Sequence, residues 1–280
     1  MSATVKPRVV ADGPLSSTVL EFLGDAVEIL PWQIAREGAA GIDALYTYGH
    51  PQVDGAMMDR LPGLRVISNY GVGVDHIDLG AARERGIPVG NTPSILDGAT
   101  ADMGMALLLA AARRVVEGAA YARSPEFTAY DPGYMLGREV HSSTLGIVGM
   151  GAIGRQVARR ALGFDMRVLY YNRRRRLETE AEVGVEYASF DGLLAASDYV
   201  MLCCPLTEET RNLIGRDALA KMKPTATLVN IARGGVVDTQ ALYEALRDGV
   251  IASAGLDVTE PEPLPRDHPL LALPNATIVP

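Results

Sequence analysis

The stretch from residue 145 to residue 176 constrains the fold of this chain more than any other. It opens on the apolar run Leu145-Gly146-Ile147-Val148 and turns through Gly149-Met150-Gly151-Ala152-Ile153-Gly154. A helical pattern follows over residues 155–162, with Val157, Ala158, Ala161 and Leu162 on one face, and a second apolar run fills residues 166–171. Strand, glycine turn, helix and strand in that order are the setting of a dinucleotide-binding fingerprint in a parallel sheet. In such a turn Gly149 permits the tight bend, Gly151 lets the backbone approach a diphosphate, and Gly154 lets the helix lie close on the strand. The diphosphate then meets the free N–H groups and positive dipole end of that helix, with Ala152 and Ile153 among the expected cofactor residues. A glycine turn without a ligand is the competing reading, and the flanking strands and helix weigh against it.

The end of the second strand indicates which dinucleotide. A site for NAD carries an Asp or Glu there to accept the ribose 2′-OH. Here Asn172 takes that position, and the four arginines Arg173 to Arg176 follow it. A carboxylate would repel a 2′-phosphate, whereas a guanidinium can hold one in bidentate fashion. The expectation is therefore NADP, with NADPH preferred over NADH, held by Asn172, Arg173 and Arg174. For Arg175 and Arg176 a solvated basic run at a helix start is the preferred reading.

The rest of the chain repeats the α/β rhythm. Residues 8–11, 26–30, 44–48 and 65–70 read as strands, and residues 15–23 and 53–60 as helices, with Asp54 near the start of the second. After the first strand Ala11-Asp12-Gly13-Pro14 has the wrong spacing for a fingerprint, so this half should not bind a dinucleotide. The loop Asn69-Tyr70-Gly71-Val72-Gly73-Val74-Asp75-His76 is either a plain turn or, through its two glycines, a backbone cradle for a small anion. Asp97 or Thr100 can cap a helix over residues 101–116, apolar on every side and hence buried. Residues 121–143 read as a connecting arm. Further strands are expected at 199–203, 226–231, 251–256 and 276–279, with a helix at 238–247. The expected architecture is α/β, with two doubly wound parallel-sheet domains. Residues 1–97 form a flavodoxin-like substrate-binding domain, 98–120 an interdomain helix, and 121–280 a Rossmann dinucleotide-binding domain.

Charge and composition exclude other classes. A formal net charge of -8 argues against a nucleic-acid surface. Cys203 and Cys204 are the only cysteines and stand side by side, which is no disulfide framework and suits a reducing compartment. Residues 1–10 lack the charged-then-apolar pattern of a signal peptide. The longest strongly apolar stretch, 103–112, is about half the ~20 residues a membrane span needs. A soluble cytoplasmic protein is expected, with no nucleic-acid or membrane partner and no metal site.

In an open α/β sheet, ligands bind beyond the carboxyl ends of the strands. Arg233 follows one expected strand in Asn230-Ile231-Ala232-Arg233-Gly234-Gly235, and Asp257 follows the next, with Glu262 in a proline-rich turn. An arginine and two carboxylates at the nicotinamide end of the cleft suit hydride transfer to a small keto acid, with Arg233 holding its carboxylate and polarising its carbonyl. For Arg233 alone a structural salt bridge would be the commoner reading.

Together these segments resemble the D-2-hydroxyacid dehydrogenase family, and within it the glyoxylate/hydroxypyruvate reductase branch. The matching segments are Gly71-Val72-Gly73-Val74-Asp75, Asn91-Thr92-Pro93, the glycine fingerprint, Pro205-Leu206-Thr207, Asn230 to Gly234, Gly255-Leu256-Asp257-Val258 and Pro261-Glu262-Pro263. The resemblance implies an NAD(P)-dependent enzyme that reduces a small 2-keto acid to the D-2-hydroxy acid. It implies that Arg233 is the substrate-binding catalytic arginine and that Glu262 pairs with a catalytic histidine, raising its pKa. The backbone of Val72 and Gly73 would bind the substrate carboxylate. Thr100, Pro205, Ile231 and Asp257 would lie along the cofactor. It also implies a dinucleotide domain inserted into the substrate domain and a homodimer formed mainly through the dinucleotide domains.

One departure stands out. The family's histidine lies in a Pro-His step after the last strand, and here that strand reads Thr277-Ile278-Val279-Pro280. The histidines present, His50, His76, His141 and His268, occupy other places. The family's C-terminal segment is thus expected to be absent, and the 280-residue chain to bind NADPH yet reduce a keto acid slowly. A non-catalytic, dinucleotide-sensing protein on the same fold is the alternative.

Overall fold

The computed structural model describes residues 6–280. The first five residues, part of the stretch read for a signal peptide, lie outside the described residues. The chain forms two compact units, one ending at Leu96 and the other running from Asp97 to Pro280.

The first unit is built on β1 (Arg8–Ala11), β2 (Glu28–Pro31), β3 (Ala44–Thr47), β4 (Val66–Asn69) and β5 (Val89–Gly90), all parallel, in the order β2-β1-β3-β4-β5. The order reverses between β1 and β3, the flavodoxin-like arrangement expected from the alternating apolar runs. Val10, Leu45 and Ile67 are fully buried on three neighbouring strands and pack with Ile42, Met58 and Leu61. Side-chain caps fix several helix starts. Met57 N donates to Asp54 at 2.7 Å, beginning the helix Gly55–Asp59, and Ala81 N donates to Asp78 at 2.9 Å, beginning Leu79–Glu84. Ser16 caps Ser17–Leu23, which is why that helix starts two residues after the expected 15.

The second unit carries β6 (Thr144–Val148), β7 (Arg167–Tyr171), β8 (Glu186–Tyr187), β9 (Tyr199–Leu202), β10 (Thr227–Asn230), β11 (Ser253–Leu256) and β12 (Ala276–Ile278). Their order is β12-β11-β10-β9-β6-β7-β8, again all parallel. The reversal falls between β6 and β9, where an open α/β sheet leaves its ligand crevice. The inner strands β9, β10 and β11 are buried at every residue, as a parallel sheet covered on both faces requires. Tyr170 and Tyr199 are fully buried, and their hydroxyls donate to Glu180 at 2.6 Å and to the Glu139 carbonyl at 2.7 Å.

The expected helix over 98–120 is two helices, Asp97–Ala112 and Val115–Tyr121, and both belong to the second unit. The break falls at Arg114, which takes φ 54° while its Nε bonds Glu117 at 2.8 Å. The long helix lies on β10, β11 and the fingerprint helix. It is buried along one face, through Ala101, Gly104, Met105, Leu107, Leu108 and Ala112, and not all round: Asp102, Met103 and Ala106 are exposed. An apolar stripe wider than its buried face misled the periodicity. Among the described residues no helix is long and apolar enough to cross a membrane.

Candidate active site

The three fingerprint glycines do three different things. Gly149 has φ 104°, and a Cβ there would stand 2.5 Å from Cys204 N, so the turn passes directly over the end of β9. A Cβ on Gly154 would stand 2.3 Å from the Gly149 carbonyl oxygen, which fixes how closely the helix Ala152–Leu162 returns to β6. Gly151 has nothing within 4 Å of such a Cβ, so its side is open. That helix carries no side-chain cap at Gly151, and its buried face is Gly154, Val157, Ala158 and Ala161. Uncapped N–H groups and an open glycine leave a helix terminus suited to a diphosphate.

A cleft of about 720 Å³ opens at this point. Its walls bring together Gly149, Gly151, Asn172, Arg173, Arg174 and Pro205 of the expected cofactor residues. Asn172 faces the turn: its Oδ1 accepts from Met150 N at 2.7 Å and so pins the glycine loop to the end of β7. Arg173 and Arg174 are exposed at the cleft mouth. The remaining arginines differ from expectation. Arg175 makes a bidentate pair with Glu180 at 2.8 and 2.7 Å and lies over the Tyr187 ring. Arg175, with the Tyr170 hydroxyl beside it, holds the Glu180 carboxyl down at about 2. Arg176, expected to be merely solvated, lines the cleft with Arg173 and Arg174.

Sequence reasoning missed further cleft residues, among them Thr207, Thr210 and the two cysteines. Thr210 Oγ1 donates to the Pro205 carbonyl at 2.7 Å and accepts from Thr207 N at 2.7 Å, which shapes the wall after β9. Burial pushes Cys204 up to about 11 and Cys203 further still, so both thiols stay protonated at neutral pH. Ala152 borders a neighbouring cavity with Arg155, while Ile153 packs partly into the core.

A second group stands at the ends of β10 and β11, on the same edge of the sheet. Asn230, the last residue of β10, is 1% exposed. Its Nδ2 donates to the Arg233 carbonyl at 2.9 Å and its Oδ1 accepts from Ala232 N at 3.0 Å, so one carboxamide sets the course of the arginine loop. Asp257 N donates to the Asn230 carbonyl at 3.0 Å. A Cβ on Gly234 would stand 2.0 Å from Thr259, so the loops carrying Arg233 and Asp257 lie back to back. Burial, and then the Glu262 carboxylate, raise the Asp257 pKa above the ordinary 3.8. Glu262 accepts from Thr259 N at 3.4 Å. The Ile231 side chain is in the core, 4% exposed, against the long helix. Thr100 lies in the first turns of that helix, outside the cleft wall.

The histidines of this unit are His141, exposed, and His268. His268 Nδ1 accepts from Leu270 N at 3.2 Å and caps the turn Pro269–Ala272. In the first unit His76 is buried, and its ring lies against that of His50, with centroids 4.8 Å apart and planes tilted by 44°. Among the described residues no group of three or more His, Cys, Asp or Glu could hold a metal ion.

Comparison with known proteins decides the lineage. Residues 105–280 match the family model of the D-isomer specific 2-hydroxyacid dehydrogenase, NAD binding domain. The chain belongs to that family. This dehydrogenase is 47% identical over 285 residues to the glyoxylate reductase of Korarchaeum cryptofilum, covering 99% of its own length and 86% of that relative. To the Pyrococcus furiosus glyoxylate reductase it is 44% identical over 288 residues, covering 99% and 85%. Among solved structures, a Thermus thermophilus protein superposes with a TM-score of 0.88 at 47% identity, over 98% of this chain and 88% of that one. The NADPH-dependent glyoxylate/hydroxypyruvate reductase of Sinorhizobium meliloti, in complex with NADP and malonate, gives 0.88 at 31% identity, over 99% and 86%. The dehydrogenase is thus an NAD(P)-dependent oxidoreductase built on two parallel-sheet α/β units, and the glycine turn, open at Gly151, fits its nicotinamide dinucleotide.

Proposed function

We propose that this dehydrogenase reduces glyoxylate, hydroxypyruvate or a similar small 2-keto acid to the D-2-hydroxy acid, with NADPH preferred over NADH. The observation that carries the reading is an arginine with two carboxylates at the ends of β10 and β11, on the same sheet edge as the dinucleotide cleft. The names of the archaeal relatives support the substrate class, and the NADPH-dependent relative supports the cofactor.

When bound, the reduced nicotinamide supplies the hydride. The chain's residues bind and orient. Ala152, Ile153 and Gly154 offer helix-terminal N–H groups to the diphosphate. Asn172, fixed on Met150, leaves the ribose 2′ position without a carboxylate, and Arg173 and Arg174 pair with a 2′-phosphate. Arg233 holds the substrate carboxylate and polarises the carbonyl to be reduced. Val72 and Gly73 give backbone amides to that carboxylate. Glu262 would poise a histidine general acid of the kind the family resemblance implies, and no histidine of the sequence is assigned that part. His268 is already engaged as a cap and is not assigned that part. We read the protein as cytoplasmic, and as a homodimer, the latter supported by the exposed Phe127, Tyr130, Tyr134 and Leu136 of the arm after the helix Val115–Tyr121.

The test is consumption of NADPH in the presence of glyoxylate or hydroxypyruvate, with Arg233→Ala beside the parent chain. Turnover that falls ~10²-fold or more in the variant supports the reading. Tight NADPH binding with no turnover of any small keto acid would favour a dinucleotide-sensing protein instead.

A further inference from the structure

The loop after β4 is held by two asparagines that the reaction itself does not use. Asn69, the last residue of β4, is 2% exposed. Its Oδ1 accepts from Thr47 Oγ1 at 2.8 Å, which fixes the orientation of the carboxamide. Its Nδ2 therefore faces the loop and donates to two carbonyls, Gly71 at 3.1 Å and Gly73 at 2.9 Å. The carbonyl between them, on Val72, accepts from Asn91 Nδ2 at 2.8 Å. Thr92 N also donates to the Gly71 carbonyl, at 3.0 Å. Three successive carbonyls are thus drawn onto the protein.

A trans peptide is planar, so each carbonyl points opposite to the N–H of the next residue. Drawing the Gly71 oxygen inward turns the Val72 N–H away from Asn69. Drawing the Val72 oxygen to Asn91 turns the Gly73 N–H to the opposite side from Asn91. Among the described residues no backbone or side-chain oxygen accepts from the amides of Val72 or Gly73. Gly71 supports the same course with φ 141°, a value that L side chains rarely adopt. The loop keeps its donors available and its acceptors engaged, which is the condition for receiving an anion.

We propose that Asn69 and Asn91 are positioning residues whose carboxamides pull back the Gly71, Val72 and Gly73 carbonyls and so present the Val72 and Gly73 amides to the substrate carboxylate. The inference rests on the reading that these amides bind that carboxylate. It concerns residues that touch neither substrate nor cofactor and act only through the loop.

The test is calorimetric titration of oxamate, a carboxylate mimic of the keto acid, and of its uncharged ethyl ester into the NADPH-saturated protein. Asn91→Ala lies on an exposed residue and tests the clamp without disturbing the core. Asn69→Asp keeps the acceptor for Thr47 and removes the donor. Each should weaken oxamate ~5- to 10-fold, the worth of a lost hydrogen bond, and leave the ester within about twofold. Asn91→Gln keeps the donor and should hold oxamate within about twofold of the parent, a rescue that a merely structural role would not require. Val72→Pro, which has no N–H, tests the underlying reading. If Val72→Pro binds oxamate fully, the amides do not hold the carboxylate and that reading fails. If Val72→Pro loses oxamate while Asn91→Ala and Asn69→Asp keep it, the reading stands and the clamp is wrong. Equal loss of acid and ester in the asparagine variants would also overturn it.

Discussion

The two sheets share a topology rule and use it differently. In each, the strand order reverses at one point, between β1 and β3 in the first unit and between β6 and β9 in the second. After β6 the chain turns on Gly149 and leaves a cleft of about 720 Å³. After β1 it meets Asp12, whose carboxylate accepts from Tyr48 N and, at 2.7 Å, from Gly49 N. The donors that could receive a ligand are answered there by the protein itself, and Tyr46, Tyr48 and Tyr70 gather beside them. The first sheet instead offers donors after β4, on the Val72–Gly73 loop. A reversal in strand order supplies a crevice, and the residues just past the strands decide whether a ligand or the chain fills it.

The largest effect should come from the tightest glycine. Gly149→Ala combines a φ of 104° with a Cβ 2.5 Å from backbone, and should cost roughly 3 kcal/mol or more and abolish cofactor binding. Gly13→Ala, in the loop after β1, meets only the Tyr48 side chain, at 3.3 Å nearest, and should stay within about 1 kcal/mol. Urea denaturation of both variants checks this, and similar losses would break the contrast.

Asn230→Ala comes next. It leaves the Ala232 amide of a buried loop without its partner and should cost about 1–3 kcal/mol, with weakened substrate binding and little change in cofactor affinity. Denaturation paired with NADPH and oxamate titrations would show it.

Asp257 gives the smallest effect and fixes its sign. Its pKa is raised in the fold, first by burial and then by Glu262, so the folded state holds the proton more tightly than the unfolded chain. That contribution to stability is full below the ordinary 3.8 and is lost as pH rises through the raised value. Asp257→Asn should therefore be more stable than the parent at neutral pH, with the difference vanishing towards acid. Thermal midpoints across that range test the claim, and a variant less stable at neutral pH contradicts it.

Much of the fold was legible because parallel strands between helices leave apolar runs and glycine turns that sequence shows directly. The fingerprint, the inner strands β9 to β11 and the Asp54 cap are of that kind. Other features depend on approach in space. Two-residue strands such as β5 and β8 are too short for any period, and the helix break at Arg114 has neither Gly nor Pro to mark it. Pairing of Arg175 with Glu180 and entry of Arg176 into the cleft follow from how the chain leaves β7, which four identical residue types in a row could not reveal. Asn69, Asn172 and Asn230 end or follow strands as polar residues should. Their bonds to the next loop or the glycine turn became visible only with the backbone in place.

Arg173 and Arg174, at the cleft past β6, β7 and β9, are the residues proposed to select a 2′-phosphorylated dinucleotide. Fluorescence titration of NADPH and NADH into the parent chain and into Arg173→Ala tests it most directly. NADPH should bind the parent more tightly than NADH, and the variant should lose roughly 10- to 100-fold for NADPH, the worth of one charge-assisted pair, with NADH nearly unchanged. Equal affinities in the parent, or tighter NADH, would contradict it.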